Sequence, residues 1–305
     1  METSPAARPT SPIRYRVIDG TLYARSASPY AYDLKVHELG HGHVEATVQP
    51  RYGWGEIAAL TPGALTDAAM SEGNAWVNGA WAPSVESDAD RLYRQEMNKE
   101  RSSRRAKTKV RRICKARGLN VMLTLTYREN QISRERMARD FDVFVKRLRR
   151  VIPDFQYVCV FEQQKRGAWH AHIAVPRVLS HYLHKGQFVR SYDLLRSMWR
   201  AVVGSDNGNV DVSRNRRVMR SAAKLAAYMS KYIGKEFGSG DGDGDSYRAS
   251  GRALPPPVVI RSLSPDGAVA CEALLDLLSN ELGCRCEFHH ALLDGGGHYV
   301  SIYNK

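Results

Sequence analysis

The sequence predicts an α+β protein whose central domain is an antiparallel split-βαβ sheet covered by helices. Three observations predict this fold class. Strand-like and helix-like segments follow one another in the order β, α, β, β, α, β, α. The strand-like segments alternate apolar and polar residues, and the helix-like segments repeat apolar residues every three or four positions. This order forms two layers, and we expect the helices to lie on one face of the sheet.

The chain of 305 residues divides by composition into five segments. The ordered pattern occupies residues 119–237 and predicts the central domain. Residues 1–90 show no sustained period and form an accessory region of unknown fold, followed by a basic segment at 91–118. A stretch rich in Gly, Asp and Pro at 238–257 predicts a flexible linker. Residues 258–305 predict a small αβ tail.

The first half of the pattern predicts a strand, a helix and a hairpin. Residues 121–127 alternate, with apolar side chains on one face and Thr124 and Thr126 on the other. Ser133 is suited to cap a helix. That helix repeats apolar residues at helical spacing: Met137, Phe141, Phe144, Val145, Leu148 and Ile152. Residues 155–162 and 168–175 predict two strands, and the short loop ending at Gly167 joins them as a hairpin.

The second half predicts a helix, a short strand and a further helix. Apolar residues at helical spacing mark the first of these helices: Tyr192, Leu195, Met198, Trp199 and Val202. Residues 209–213 predict a strand, and residues 220–235 predict the last helix of the domain.

The charge is concentrated in the middle of the chain. The net charge is +13, but residues 91–235 carry 34 Lys and Arg against 11 Asp and Glu. The flanks are acidic, with 6 basic against 11 acidic residues in 1–90 and 5 against 10 in 236–305. A localised basic surface is typical of proteins that bind a phosphate backbone.

Membrane and secreted classes are disfavoured. No apolar run approaches the length that crosses a bilayer, and the first twelve residues lack the hydrophobic stretch of a signal peptide. The five cysteines are odd in number and scattered, which fits a reducing cytoplasm better than a disulfide framework. We expect neither a membrane partner nor a small-molecule cofactor.

Two histidines on a strand predict a metal site. Because side chains alternate along a strand, His170 and His172 share one face. If the hairpin turns at residues 165–167, Glu162 lies directly opposite His170. Two imidazoles and one carboxylate, with open positions, suit Mg²⁺ or Mn²⁺ in a catalytic role. A pair of histidines on a strand is by itself also compatible with a solvent-facing or merely hydrogen-bonded pair.

The last helix predicts a nucleophile. Lys224, Tyr228, Lys231, Tyr232 and Lys235 occupy one continuous helical face. A phenol with a pKa near 10 is only about 0.1% ionised at pH 7, so nearby cations would ease its deprotonation. The alternative is an ordinary amphipathic helix with tyrosines at the edge of the core.

Together these motifs resemble the HUH endonucleases that initiate rolling-circle replication. The resemblance rests on LTLTY (123–127), EQQKRGAWHAH (162–172) and YMSKYIGK (228–235). The last has the Tyr-x-x-Lys-Tyr-x-x-Lys form of the two-tyrosine phage initiators. The resemblance covers residues 119–237 and leaves both flanks unexplained. It implies an RRM-like sheet and a smaller phage or plasmid initiator acting in the cytoplasm of a bacterial host.

The resemblance also implies a mechanism. A divalent ion on Glu162, His170 and His172 would polarise the scissile phosphate of single-stranded origin DNA lying across the open sheet face. Either tyrosine would form a 5′-phosphotyrosine and free a 3′-OH that primes the host polymerase, and a host helicase would be a second partner. Lys231 and Lys235 would stabilise charge at the tyrosines. The expected DNA-binding residues are Thr124, Thr126, Arg166 and Lys224.

Three alternatives remain open at the level of sequence. A single-strand transposase or a conjugative relaxase would share this chemistry and join different DNA. One tyrosine could be dispensable, since a Tyr-x-x-Lys pattern begins at each. A non-catalytic nucleic-acid binder could use the same sheet, although such domains bind through exposed aromatic residues.

Two further clusters contain metal-ligand residue types. His37, His41 and His43 are expected in a polar loop rather than a metal site. In the tail, the ligand types are more varied and could bind zinc, although their spacing matches no common zinc motif. They are Cys271, Cys284, Cys286, His289 and His290.

Overall fold

The computed structural model describes residues 15–18, 21–56, 74–77, 80–83, 88–213, 221–238, 247–251, 253–264, 266–282, 286–293 and 296–304. Within these ranges the chain forms five helices and fifteen strands, and the strand pairs with an assigned register are antiparallel. The predicted α+β class is therefore confirmed.

The helices are α1 (Asp88–Ala116), α2 (Arg134–Leu148), α3 (Ser191–Val203), α4 (Ala222–Gly238) and α5 (Gly267–Leu282). The strands are β1 (Tyr15–Ile18), β2 (Thr21–Gly40), β3 (His43–Glu56), β4 (Asn74–Val77), β5 (Ala80–Pro83), β6 (Val121–Tyr127), β7 (Val158–Gln163), β8 (Trp169–Val175), β9 (His181–His184), β10 (Gln187–Arg190), β11 (Gly208–Ser213), β12 (Arg248–Ala249), β13 (Val258–Ser262), β14 (Cys286–Leu293) and β15 (Gly297–Asn304).

The chain divides into two compact units. The central unit comprises residues 39–43 and 96–255, and the terminal unit comprises residues 1–38, 44–95 and 256–305. Each unit has its own sheet and its own apolar core.

The central unit is built on a five-stranded antiparallel sheet. Its strand order is β11-β6-β8-β7-β12. The elements β6, α2, β7, β8, α3 and β11 follow one another in the predicted βαββαβ order. Strands β8 and β11 both pair with β6. This arrangement places β6 and β8 inside the sheet, with a neighbour on each side.

One face of this sheet packs against α2 and α3. α2 begins after Ser133, whose Oγ accepts the Arg136 backbone N–H at 3.1 Å, as the sequence predicted. The sheet side of this core comes from alternate residues of β6 and β8: Leu123, Leu125, Tyr127, Trp169, Ala171, Ile173 and Val175. The helix side contains the residues that periodicity identified, including Met137, Phe141, Phe144, Leu148, Leu195 and Trp199.

The opposite face is covered as well, which corrects the expectation of helices on one face only. α1 and α4 pack there against Met122, Val158, Val160 and Ala174 of the sheet. These apolar residues form a second buried layer, which requires its own helices to exclude water. Towards the hairpin turn the same face becomes polar and carries the predicted metal ligands.

The basic segment lies in α1, a helix of 29 residues. Its buried residues Ala106, Val110, Ile113 and Cys114 recur at i, i+4, i+7 and i+8 and join the second core. Arg101, Arg105 and Lys109 are exposed on the same helix. The segment is therefore an amphipathic helix packed on the sheet and not a solvated connector.

Two elements of the central unit had no clear signal in the sequence. The β9–β10 hairpin lies between β8 and α3. Strand β12, within the range predicted as linker, pairs with the end of β7. Ser250, which follows it, accepts the Tyr157 backbone N–H on Oγ at 2.7 Å. Two residues are too short to show an alternation, so β12 is defined by these contacts.

The terminal unit joins segments from both ends of the chain. Its sheet has the order β1-β2-β3-β15-β14, and β13 pairs with β2. Helix α5 packs on it through Ala270, Cys271, Leu274 and Leu278. Residues 37–45 form the end of β2, a turn at 41–42 and the start of β3, with His43 and Glu45 buried. A β-hairpin thus replaces the expected polar loop.

None of the helices in the described residues is long and apolar enough to cross a bilayer.

Candidate active site

The β7–β8 hairpin positions the predicted metal motif. Glu162 pairs with His170 in the register of the two strands, which confirms the predicted pairing. The Gln164 backbone N–H donates to Ala168 O at 2.8 Å and closes a turn over residues 165–167. Gly167 adopts φ +88°, the left-handed region that a residue without Cβ occupies readily. The turn is therefore the three-residue type that the sequence predicted.

His172 is held at both ring nitrogens. Nε2 lies 2.8 Å from Glu162 Oε2, and Nδ1 lies 3.4 Å from Thr124 Oγ1. Thr124 is also the register partner of His172 on the adjacent strand. The imidazole is 7% exposed. These contacts fix the ring plane of His172 and leave it little freedom to rotate.

His170 is held at one ring nitrogen. Nδ1 lies 3.1 Å from the side-chain Nε2 of Gln164, while its own Nε2 is buried and has no hydrogen-bond partner. Burial lowers the pKa of His170 to about 4, with the neighbouring His172 and Arg166 acting in the same direction and Glu162 opposing them. His170 is therefore neutral near pH 7, and the neutral imidazole is the form that binds metals.

The donor set fits a divalent cation. Glu162 supplies a carboxylate, and His170 Nε2 is a buried nitrogen whose bonding capacity no protein group uses. A 180° rotation of the Gln164 amide would let its oxygen accept the Nδ1–H of His170, which turns the Nε2 lone pair towards the site. Gln164 therefore takes the place of a group that orients a metal-binding histidine, and sequence reasoning missed it. Its position two residues after Glu162 at the hairpin turn was the available signal.

Helix α4 brings the predicted tyrosines to this site. The ring of Tyr232 stacks on the imidazole of His172, with centroids 4.0 Å apart and planes 12° apart. Tyr228 is half-buried and contacts Tyr232 edge to face, with centroids 5.2 Å apart. Lys231 Nζ lies 5.8 Å from the centroid of the Tyr228 ring. Residues far apart in the chain, on β8 and α4, thus share one site.

The other predicted site residues occupy varied positions. Lys224 is exposed in the first turn of α4, and its backbone N–H donates to Ser221 Oγ at 3.2 Å. Arg166 is exposed at the hairpin turn. Thr126 is half-buried, and its carbonyl oxygen accepts the indole N–H of Trp199. Lys235 belongs to α4, but its side chain lies outside the described residues.

Residues 120–237 match the model of a family described as replication-associated protein ORF2. This match covers the central pattern and neither flank, and it is consistent with an initiator of rolling-circle replication. Comparisons with curated proteins and with solved structures gave no significant match.

Proposed function

We propose that this protein initiates rolling-circle replication by nicking and rejoining single-stranded origin DNA, as an HUH endonuclease of the two-tyrosine class. The observation that carries the proposal is the stack of Tyr232 on His172, because it unites the candidate nucleophile with the candidate metal ligands. The match of residues 120–237 to a replication-associated family supports the biological role.

Glu162, His170 and His172 would hold Mg²⁺ or Mn²⁺. Bound there, the ion would supply Lewis-acid polarisation of the scissile phosphate and orient it for in-line attack. The protein positions this donor set through Thr124, which contacts His172, and Gln164, which contacts His170.

Tyr228 or Tyr232 would act as the nucleophile. Its phenol oxygen loses a proton and bonds to phosphorus, and the bond from phosphorus to the 3′ oxygen breaks. The 3′ oxygen takes up a proton, so the products are a 5′-phosphotyrosine and a free 3′-OH. Lys231, beside the Tyr228 ring, would favour the phenolate and stabilise negative charge on the phosphate, and we assign Lys235 the same role.

The second tyrosine would cut the regenerated origin after one round of synthesis. The new 3′-OH would then attack the first phosphotyrosine, release that tyrosine and close a circle. The edge-to-face contact of Tyr228 with Tyr232 supports two nucleophiles that serve one site. In this scheme the host polymerase extends the 3′-OH, a host helicase opens the duplex, and the reaction takes place in the bacterial cytoplasm.

DNA would reach the site from the hairpin-turn end of the sheet. The family resemblance implies DNA lying across an open face, but α1 and α4 cover much of that face. Residues 163–166 at the turn are exposed, and Arg166 among them can contact a phosphate. Lys224, at the exposed start of α4, is a second proposed DNA contact. Thr124 and Thr126 would act from within the site.

The structure offers little support for a non-catalytic sheet binder. RNA-recognition domains of this topology stack bases on exposed aromatic residues of the sheet. Here Tyr127, Phe161 and Trp169 are buried in the core beneath α2 and α3. A transposase or relaxase would use the same site, so the fate of the DNA must distinguish it from an initiator.

The proposal is tested by incubating the full chain with a library of single-stranded oligonucleotides and Mn²⁺, followed by denaturing gels. We expect a metal-dependent adduct on the 5′ end that survives Tyr228→Phe or Tyr232→Phe but not the double change, and that is lost in His172→Ala. The matched controls are Tyr192→Phe on α3 and His181→Ala on β9, both exposed side chains.

A substrate carrying two copies of the cut sequence separates the candidate classes. An initiator releases the intervening strand as a closed circle. Strand joining to unrelated target DNA would indicate a transposase instead. DNA binding without an adduct for any sequence or metal would overturn the nuclease assignment altogether.

A further inference from the structure

A cluster of metal-ligand side chains lies in the terminal unit. His290 on β14 pairs with Val300 on β15, and His298 lies two residues before Val300 on the same strand. Because side chains alternate, His290, His298 and Val300 share one face of the hairpin. Val300 belongs to the core beneath α5, together with Cys271 of that helix. The fold thus directs one thiol and two imidazoles to one place.

The three ligand atoms lie close together. His290 Nε2 is 3.0 Å from His298 Nδ1, and these two nitrogens and Cys271 Sγ all lie within 4.8 Å of one another. Cys271 is 5% exposed and His298 is 8% exposed, whereas His290 is exposed. Cys271 is a free cysteine. The cluster therefore has two buried members and one member in contact with solvent.

We propose that Cys271, His290 and His298 bind a zinc ion. Thiolate and imidazole are ligands that zinc favours, whereas Mg²⁺ and Mn²⁺ favour oxygen. Zinc-to-nitrogen bonds of about 2.0–2.1 Å in a tetrahedron place two nitrogens about 3.3 Å apart, close to the observed separation of the two histidines. On the exposed side of His290, water or a partner group would complete the coordination.

The chemistry separates this site from the candidate active site. The ligands proposed for the catalytic ion are a carboxylate and two imidazoles in the central unit, and they include no sulfur. The terminal site joins a helix to a hairpin, with one ligand from α5, one from β14 and one from β15. Such cross-linking of three elements is typical of structural zinc, and its loss would loosen the packing of α5 on the sheet.

The sequence indicated some of these ligands but not their grouping. It placed Cys271 and His290 with His289, yet His289 pairs with Ser301 and lies on the opposite face of β14 from His290. The structure brings His298 to the cluster instead. The side chains of Cys284 and Cys286 lie outside the described residues.

Cobalt substitution tests the site in the full chain. Metal-free protein is titrated with Co²⁺ and followed by absorption spectroscopy, and bound zinc is measured by mass spectrometry after dialysis. We expect one equivalent of zinc and a thiolate-to-cobalt charge-transfer band. Cys271→Ser abolishes that band, and His290→Gln weakens zinc binding at least about tenfold. The exposed His290 gives a variant with little risk to the core.

Matched variants exclude other sources of the signal. His289→Gln, on the other face of the same strand, retains the band and the zinc. The pair Cys284→Ser and Cys286→Ser also retains the band, as does Glu162→Gln in the central unit. A band unchanged in Cys271→Ser, zinc binding unchanged in His290→Gln, or no zinc bound at micromolar concentration would each overturn the proposal.

Discussion

The ring of Tyr232 lies parallel to the imidazole of His172, with the two planes 12° apart and the centroids 4.0 Å apart. Tyr232 is 8% exposed and His172 is 7% exposed, so water is largely excluded from the stack. The contact joins helix α4 to strand β8. It is the point at which the two candidate chemical motifs of the chain meet.

We expect Tyr232→Phe to preserve the stability of the metal-free protein, because Phe retains the ring and its stack. Tyr232→Leu removes the aromatic pair, and should lower the free energy of unfolding by about 0.5–1.5 kcal/mol beyond any change in buried area. Urea unfolding of both variants measures the difference. A double-mutant cycle with His172→Ala isolates the pair, and a coupling of zero would contradict the energetic role of the stack.

Glu162→Gln should weaken metal binding without removing the side chain. The change keeps the size of the side chain but replaces a charged oxygen donor with a neutral amide. We expect the Mn²⁺ concentration for half-maximal adduct formation to rise by about tenfold or more. Glu129→Gln is the matched control, since Glu129 is exposed and pairs with Arg136. An equal response of the two variants would remove Glu162 from the metal site.

Gln164→Ala should act through His170. Its side chain contacts His170 Nδ1 at 3.1 Å, so its loss frees the imidazole to rotate away from the metal. We expect a higher Mn²⁺ requirement with unchanged metal-free DNA binding. Gln163→Ala provides the control, because the Gln163 amide donates to Gly167 O and not to His170. If adduct formation in Gln164→Ala shows the wild-type metal dependence, Gln164 has no positioning role.

The exposed basic residues of α1 should contribute to DNA affinity. Changing Arg101, Arg105 and Lys109 together to Gln removes three cations from one helix. If all three contact phosphates, the slope of log affinity against log salt for single-stranded DNA becomes shallower by about 2. Fluorescence anisotropy of a labelled oligonucleotide over a range of salt concentrations measures the slope.

A control for charge alone uses the other side of the sheet. Lys146 and Arg150 are exposed at the end of α2, which covers the opposite face. Their change to Gln should alter the slope much less than the changes in α1. Similar slopes for both sets would indicate a diffuse charge effect and no binding by α1.

Gly208→Ala should destabilise the central unit. A Cβ at this position would lie 2.8 Å from Cδ1 of Trp199 and 2.9 Å from Cγ2 of Val203. Trp199 cannot move freely, because its indole N–H donates to Thr126 O at 2.9 Å. Overpacking of this kind costs about 1–3 kcal/mol. Urea unfolding checks it against Asn209→Ala, an exposed neighbour, and an equal midpoint for the two variants would contradict the clash.

The central sheet was largely predictable because its signals are local. The alternation in Val121–Tyr127 and the helical spacing of Phe141, Phe144 and Leu148 follow directly from the geometry of strands and helices. The pairing of Glu162 with His170 followed from the length of one turn. The fold class and the hairpin were therefore confirmed, and the roles of the site residues stay predictions.

The second helical layer was not predictable from the same signals. Val160 and Ala174 lie on the face that carries the histidines, and an apolar residue there has no local partner in sequence. The helix that covers them, α1, first resembles a run of charge because its four buried positions are separated by arginines and lysines. Its packing emerges from the shape of the sheet.

By itself, the sequence determined the elements of the central unit and the residue types available for chemistry, since both depend on spacing along one strand or helix. The tertiary structure alone decided which distant residues meet. Tyr232 reaches His172, Gln164 turns back to His170, and His298 replaces His289 beside Cys271. These contacts depend on helix packing and strand register, which arise from burial summed over many residues and leave no mark at any one position.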